Sequence, residues 1–110
     1  MRRGEVRWYT FRKPDKERPI VILTRDSAIE FLGEITVAPI TSTIRHIPSE
    51  VILTRAEGMP KECAINLDHV QTVSKGKIGS LITTLSSKKL AELRVAWLFA
   101  LGFKGNYSGI

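Results

Sequence analysis

Residues 18–23 have the sequence Arg-Pro-Ile-Val-Ile-Leu, in which four consecutive apolar residues follow a proline. A continuous apolar run of this length, bounded by polar residues, is typical of a strand that is buried on both faces. The stretch therefore predicts a buried strand that Pro19 opens and that continues to Leu23.

Shorter segments with strand-like sequences surround this one. Alternation of β-favouring residues predicts a strand over Gly4–Phe11, and the charged segment that follows predicts a turn. Further short strands are expected at Ile35–Ala38 (ended by Pro39), Glu50–Leu53, Cys63–Leu67, Val70–Val73 and Leu81–Thr83.

Two segments have helical features. A short helix is expected over Ala28–Leu32, with Asp26 or Ser27 as its N-cap and Gly33 at its end. A long C-terminal helix is expected to begin at Ser86 or Ser87 and to stop at Gly102, because apolar residues recur between them at helical spacing. The fold class is thus α+β and mostly β: a small antiparallel barrel or half-open sheet with a short helix and a long C-terminal helix.

The length and composition indicate one ordinary globular domain. The 110 residues are 43% hydrophobic and 25% charged, so we expect a single domain over residues 1–110, with 104–110 as a frayed tail. No apolar run is long enough to span a bilayer, and no apolar segment follows the basic N-terminus as in a secretory signal. Cys63 is the only cysteine, which fits a reducing compartment, and we expect a cytoplasmic protein.

The end of the predicted C-terminal helix, residues 96–101, is apolar on all sides. A domain this small needs a partner to cover such a surface, which predicts a homodimer. A central helix wrapped by the sheet is the alternative.

The net charge of +6 is concentrated near the N-terminus, where residues 1–25 hold eight basic and three acidic groups. Such a field favours a polyanionic partner: nucleic acid, an acidic protein segment or anionic lipid. A basic surface that serves only solubility is the alternative.

Common catalytic motifs for nucleotide binding, zinc proteases, serine hydrolases and dithiol chemistry are absent. One cysteine and two histidines, His46 and His69, are too few for a structural zinc site, and we expect no metal and no other cofactor.

Arg18 and the pair Thr41-Ser42 are the strongest candidates for chemistry, since both stand at the ends of predicted strands. A guanidinium presents a planar set of donors suited to phosphate oxygens, and hydroxyls add short donors beside it. The alternatives are a surface ion pair of Arg18 with Glu17 or Asp15, and a turn in which residues 41–43 bond their own backbone.

Five motifs occur in order along the chain. They are residues 2–6 (Arg-Arg-Gly-Glu-Val), residues 18–23, residues 37–43 (Val-Ala-Pro-Ile-Thr-Ser-Thr), residues 49–51 (Ser-Glu-Val) and residues 66–70 (Asn-Leu-Asp-His-Val). This succession resembles the MazF/PemK family of toxin endoribonucleases over roughly residues 2–103.

The resemblance implies an SH3-like barrel, a homodimer and a groove for single-stranded RNA. It implies metal-independent cleavage that leaves 2′,3′-cyclic phosphate and 5′-hydroxyl ends, and control by an antitoxin with an acidic tail. It places the family's catalytic arginine on Arg18 and threonine on Thr41, with Ser42 beside them in substrate binding.

Two features depart from the family pattern. The first loop, Arg12–Glu17, is shorter than in relatives, and His69 stands where a glutamine is usual. A histidine can contact RNA or shuttle a proton near neutral pH. Arg45 and His46, on the loop after Thr41, are further candidates for substrate binding. Trp8, Tyr9 and Trp97 are expected in the core or the dimer interface rather than stacked on bases.

Two other functions remain open from the sequence. One is a non-enzymatic inhibitor of DNA gyrase of the CcdB type, which only the C-terminal residues Ser108-Gly109-Ile110 suggest. The other is a basic nucleic-acid-binding module without catalysis.

Overall fold

The structure is a computed structural model that describes residues 1–10 and 17–103. Within these ranges the chain forms seven strands and two α-helices. They are β1 (Glu5–Thr10), β2 (Glu17–Ile22), α1 (Asp26–Ile29), β3 (Glu34–Thr41), β4 (Glu50–Leu53), β5 (Cys63–Asn66), β6 (Gln71–Ser74), β7 (Ile78–Thr84) and α2 (Ser87–Ala100). Short 3-10 turns lie at Arg55–Glu57, Leu67–His69 and Lys75–Lys77.

The strands form a curled antiparallel sheet in the order β4-β5-β3-β2-β1-β7, and β6 pairs with β3 off this path. β3 is the longest strand and contacts three others: β2 along one edge, and β6 followed by β5 along the other. The predicted fold class, a mostly-β antiparallel half-barrel with a short and a long helix, is confirmed.

The apolar run of β2 is buried on both faces, as its sequence predicts. Val21 and Leu23 belong to the larger core cluster, whereas Ile20 and Ile22 belong to a smaller cluster on the opposite face. β3 alternates in the same way. Because the side chains of a strand alternate between its two faces, these clusters fix both strands in one register.

α2 packs on the larger cluster through Leu93 and Ala96. Its N-cap is Ser86, whose hydroxyl accepts the backbone N–H of Lys89 at 3.2 Å, and Gly102 follows its end with a φ of +80°. Val95 and Phe99 remain about half exposed. The sheet therefore does not wrap this helix, and the alternative of a central helix is wrong.

Two local predictions are corrected by the structure. β3 does not end at Pro39. Residues Glu34–Val37 pair with β6 and the pairing with β5 begins at Ile40, so Pro39 lies in the gap between these two ladders, where the N–H that proline lacks is not required for a hydrogen bond. Neither Asp26 nor Ser27 caps α1, because the helix begins at Asp26, one residue after its N-cap Arg25. The Asp26 carboxylate accepts the N–H of Arg3 at 2.6 Å instead.

Some predictions fall on other parts of the chain. The shortened first loop, apart from Glu17, and the tail 104–110 lie outside the described residues. Within the described ranges, no helix has the length and apolar character needed to cross a membrane.

Substitution of the α2 cap tests this description. We expect Ser86→Ala to lower the free energy of unfolding by about 1 kcal/mol, because the N–H of Lys89 loses its acceptor. Ser87→Ala is the matched control, since Ser87 is already inside the helix. Urea unfolding at one protein concentration measures both, and equal effects of the two substitutions would contradict the assigned cap.

Candidate active site

The pairing of β2 with β3 brings two predicted site residues together. Ile20 lies opposite Pro39, and continuation of this register by two residues aligns Arg18 with Thr41. Positions two residues apart along a strand point to the same face, so both side chains lie on one side of the sheet. Arg18 is exposed and Thr41 is half-buried, which leaves both accessible from solvent.

Arg18 and Thr41 lie where two adjacent clefts meet. The first cleft has a volume of about 280 Å³ and extends toward β1 and the segment before β5. Its lining residues are Trp8, Glu17, Arg18, Pro19, Ile40, Thr41, Ser42, Met59, Pro60, Lys61 and Cys63. The second cleft, of about 260 Å³, extends toward β4 and shares Arg18, Ile40 and Thr41; its other lining residues are Pro39, Thr43, Arg45, Glu50, Asn66 and His69.

Most of the predicted site residues line these clefts. Ser42 lies in the first cleft, and Arg45 and His69 lie in the second. His46 is exposed on the same loop as Arg45 but lines neither cleft. Each cleft also combines cations with one carboxylate: Arg18 and Lys61 with Glu17 in the first, and Arg18 and Arg45 with Glu50 in the second.

Thr41 forms the predicted local turn and still faces both clefts. Its Oγ1 accepts the backbone N–H of Thr43 at 3.1 Å, which fixes the side chain and leaves the hydroxyl hydrogen for another acceptor. Arg18 forms no ion pair with Glu17 in the described part of the chain, and Asp15 lies outside it. Two side chains that can donate hydrogen bonds thus line the junction of the two clefts.

The orientation of His69 is set by Asn66. The Oδ1 atom of Asn66 accepts the backbone N–H of Asp68 at 3.0 Å, which identifies the other amide atom as the Nδ2 donor. That donor lies 3.1 Å from Nδ1 of His69. Nδ1 must then be the acceptor, so neutral His69 carries its proton on Nε2.

Several cleft residues were missed from sequence. Trp8 is half-buried and lines the first cleft, so it does not lie in the core, whereas Tyr9 is buried in the smaller cluster as expected. Trp8 pairs with Pro19, next to Arg18. Lys61 and Glu50 were also missed: Lys61 lies in none of the five motifs, and Glu50 lies in the motif of residues 49–51, which gave no indication of its role in the site.

Cys63 is a wall residue of the first cleft rather than a nucleophile. Burial raises the pKa of its thiol, which keeps the sulfur protonated at neutral pH. Among residues 1–10 and 17–103, no three His, Cys, Asp or Glu side chains come together as a metal-binding group.

The sequence matches the model of a known protein family. Residues 2–97 match the family described as PemK-like, MazF-like toxin of type II toxin-antitoxin system. Two Mycobacterium tuberculosis relatives carry the names "Probable endoribonuclease MazF2" and "Probable endoribonuclease MazF5". They are 37% identical over 93 residues and 40% identical over 94 residues; each alignment spans 84% of this chain, and 89% and 81% of the relative.

The fold also matches solved structures. The structure described as Mycobacterium tuberculosis toxin MazF-mt6 has a TM-score of 0.84 and 29% sequence identity. The match covers 92% of this chain and 99% of that one.

The hydrogen bond from Asn66 predicts the tautomer of His69. At a pH where the ring is neutral, long-range ¹H–¹⁵N NMR spectra should show the proton on Nε2, because Nδ1 is occupied as an acceptor. The ring of His46, which has no such partner in the described chain, is the internal comparison. A proton on Nδ1 of His69 would contradict this geometry.

Proposed function

The chain belongs to the PemK-like, MazF-like family of type II toxin–antitoxin toxins. We therefore propose that it cleaves single-stranded RNA in an active site whose catalytic residues are Arg18 and Thr41. It is an endoribonuclease, in keeping with the names of its relatives. The proposal adds that cleavage is sequence-selective, needs no metal ion, and leaves a 2′,3′-cyclic phosphate and a 5′-hydroxyl. The family match and the names of the relatives favour the nuclease over a gyrase inhibitor or a purely binding module.

The observation that carries the proposal is the shared position of Arg18 and Thr41 between two clefts. A nuclease needs charge-stabilising donors at the scissile phosphate and room for nucleotides on both sides of it. The first and second clefts supply that room, and Arg18 and Thr41 supply the donors.

The chemistry requires such donors. When the ribose 2′-oxygen attacks the adjacent phosphorus, the bond from phosphorus to O5′ breaks, the 2′ proton leaves and O5′ gains one. The intermediate phosphorane carries extra negative charge on its non-bridging oxygens. Donors fixed in advance at those oxygens are worth on the order of 3 kcal/mol each. Arg18 supplies a charged donor, and Thr41 supplies a hydroxyl that its turn already orients.

The flanking side chains suit RNA on both sides of this centre. Lys61 and Arg45 add positive charge for the neighbouring phosphates. Trp8 offers an aromatic face on which a base could stack, and Ser42 adds a hydroxyl. In the second cleft, neutral His69 has Nε2–H free to donate to a base, whereas Nδ1 is already used.

The partner that controls the toxin is a cognate antitoxin in the same cytoplasm. An acidic, initially disordered tail would complement the excess of basic residues and would compete with RNA for the clefts. Folding of such a tail on a cationic surface offers a route to inhibition without any change in the catalytic residues.

The functional unit is a homodimer. Val95 and Phe99 lie four residues apart on one face of α2 and are 49% and 52% exposed, and Leu101 and Phe103, which follow the helix, are 59% exposed each. A second copy of the same surface would remove it from water, and apolar area of this kind drives association.

RNA cleavage tests the catalytic proposal. Wild-type protein incubated with a long mixed-sequence RNA in EDTA should give discrete cuts, mapped by primer extension, whose 5′ ends accept phosphate directly from a kinase. Arg18→Ala should slow cleavage by about 10²–10³-fold, because the phosphorane loses a charged donor. Thr41→Val should also slow it.

Arg25→Ala is the matched control, because Arg25 is an exposed arginine outside both clefts, and it should leave the rate unchanged. Intact RNA with folded wild-type protein would contradict the proposal, as would full activity of Arg18→Ala. A requirement for added Mg²⁺ would contradict metal independence alone.

The dimer is tested by a charge on its apolar surface. Phe99→Asp should convert a particle of twice 12.3 kDa into one of 12.3 kDa, measured by light scattering, because a buried aspartate would lack a partner. Phe31→Asp is the control, since Phe31 is 81% exposed on the connection after α1. A dimeric Phe99→Asp variant, or a monomeric wild type, would refute this interface.

A further inference from the structure

A single carboxylate fastens the loop that carries Arg45. Oε1 of Glu50 accepts the backbone N–H groups of Arg45 at 3.0 Å and His46 at 3.1 Å. Glu50 is the first residue of β4 and pairs in register with Asn66 of β5. The carboxylate therefore ties this turn of the loop to the frame of the sheet.

The backbone that Glu50 holds has an unusual conformation. His46 has a φ of +54°, and it is the one non-glycine residue with positive φ in the described chain. A residue other than glycine adopts such a conformation where its surroundings impose it. The two hydrogen bonds to Glu50 are made by the backbone N–H of His46 itself and by that of the preceding residue, so they hold the turn in this conformation.

The charge of Glu50 is otherwise unfavourable in this place. Glu50 lines the second cleft with Arg18 and Arg45, where a carboxylate repels a phosphate backbone. In the described part of the chain it forms no salt bridge with either arginine; its two side-chain hydrogen bonds go to the loop backbone. Its contribution to the site is therefore geometric.

A second part of the lining of this cleft, the turn that ends at His69, is fastened by Ser49, the residue before Glu50. The buried hydroxyl of Ser49 donates to Oδ2 of Asp68 at 2.5 Å, and the carbonyl of Ser49 accepts the N–H of Leu67 at 3.0 Å. These bonds hold the 3-10 turn that ends at His69. The start of β4 is thus bonded to two parts of the lining of the second cleft.

From these contacts we propose that Glu50 is a positioning residue, which holds the Arg45–His46 turn so that Arg45 meets RNA in the second cleft. By setting the position of Arg45, Glu50 governs which nucleotide that cleft accepts. This inference rests on the nuclease proposal, because it takes the second cleft to be a binding site for RNA.

The test compares Glu50→Gln with Glu50→Ala. RNA affinity is measured with a 2′-O-methyl RNA, which lacks the attacking hydroxyl, and kcat and KM are measured with cleavable RNA. Glu50→Ala should weaken binding and raise KM about tenfold with little change in kcat, and should broaden the set of cut sites. Glu50→Gln should behave nearly as wild type, because its amide oxygen can accept the same two bonds.

A double-mutant cycle connects the effect to Arg45. If Glu50 acts through Arg45, Glu50→Ala with Arg45→Ala should bind RNA no more weakly than Arg45→Ala alone. Additive losses, or a Glu50→Ala variant as tight and as selective as wild type, would overturn the proposal. If both Glu50→Gln and Glu50→Ala bind RNA more tightly than the wild type does, the proposal is also overturned. That result would indicate that the charge of Glu50 acts only by repelling RNA.

A readout independent of activity keeps the two proposals distinguishable. In NMR hydrogen exchange without RNA, the Arg45 and His46 amides should be protected in wild type and Glu50→Gln and should exchange faster in Glu50→Ala. Unprotected amides in wild type would overturn the positioning role. Wild-type protein that binds the 2′-O-methyl RNA but cuts no RNA would refute the nuclease, and the order of affinities would still decide the role of Glu50.

Discussion

The antiparallel register of β2 and β3, in which Ile20 lies opposite Pro39, is the constraint on which the rest of the site depends. It aligns Arg18 with Thr41 at the ends of the paired segments. A shift of one residue would turn Arg18 to the other face of the sheet, because side chains alternate along a strand. The relative position of the two proposed catalytic donors is thus a consequence of backbone pairing.

Burial on both faces holds this register in place. Ile20, Val21, Ile22 and Leu23 are all fully buried, two on each side of the sheet. A slip in register would exchange the residues of the two core clusters, and each cluster is shaped for its own side chains. The run that makes β2 recognisable in the sequence therefore also makes the position of Arg18 rigid.

Much of the fold and several residues of the candidate site could be predicted from sequence, and the predictions that were wrong failed for physical reasons. The apolar run of β2 and the helical spacing of apolar residues in α2 located both elements, and the order of five motifs identified the family. The assignment of Arg18 and Thr41 to the site stays a prediction that the family resemblance supplied. Pro39 was misread as a strand end because the gap between the β6 and β5 ladders is a property of the sheet. The position of Trp8 in the first cleft could not be predicted because the sequence of β1 does not reveal which side of the strand faces the cleft.

The contacts that organise the second cleft were beyond sequence reasoning for a different reason. The bond between Asn66 and His69 and the bonds from Glu50 to the loop are short-range, but they depend on individual torsions. The positive φ of His46 is one such torsion, and residue preferences do not predict it.

The most direct test of the account is to map where RNA binds. Amide NMR spectra recorded during titration with a 2′-O-methyl RNA report which residues sense the ligand. We expect the largest shifts at Arg18 and Thr41, with further shifts in both clefts, at Trp8 on one side and at Arg45 and His69 on the other. Shifts gathered on another surface, with Arg18 and Thr41 unmoved, would contradict the account.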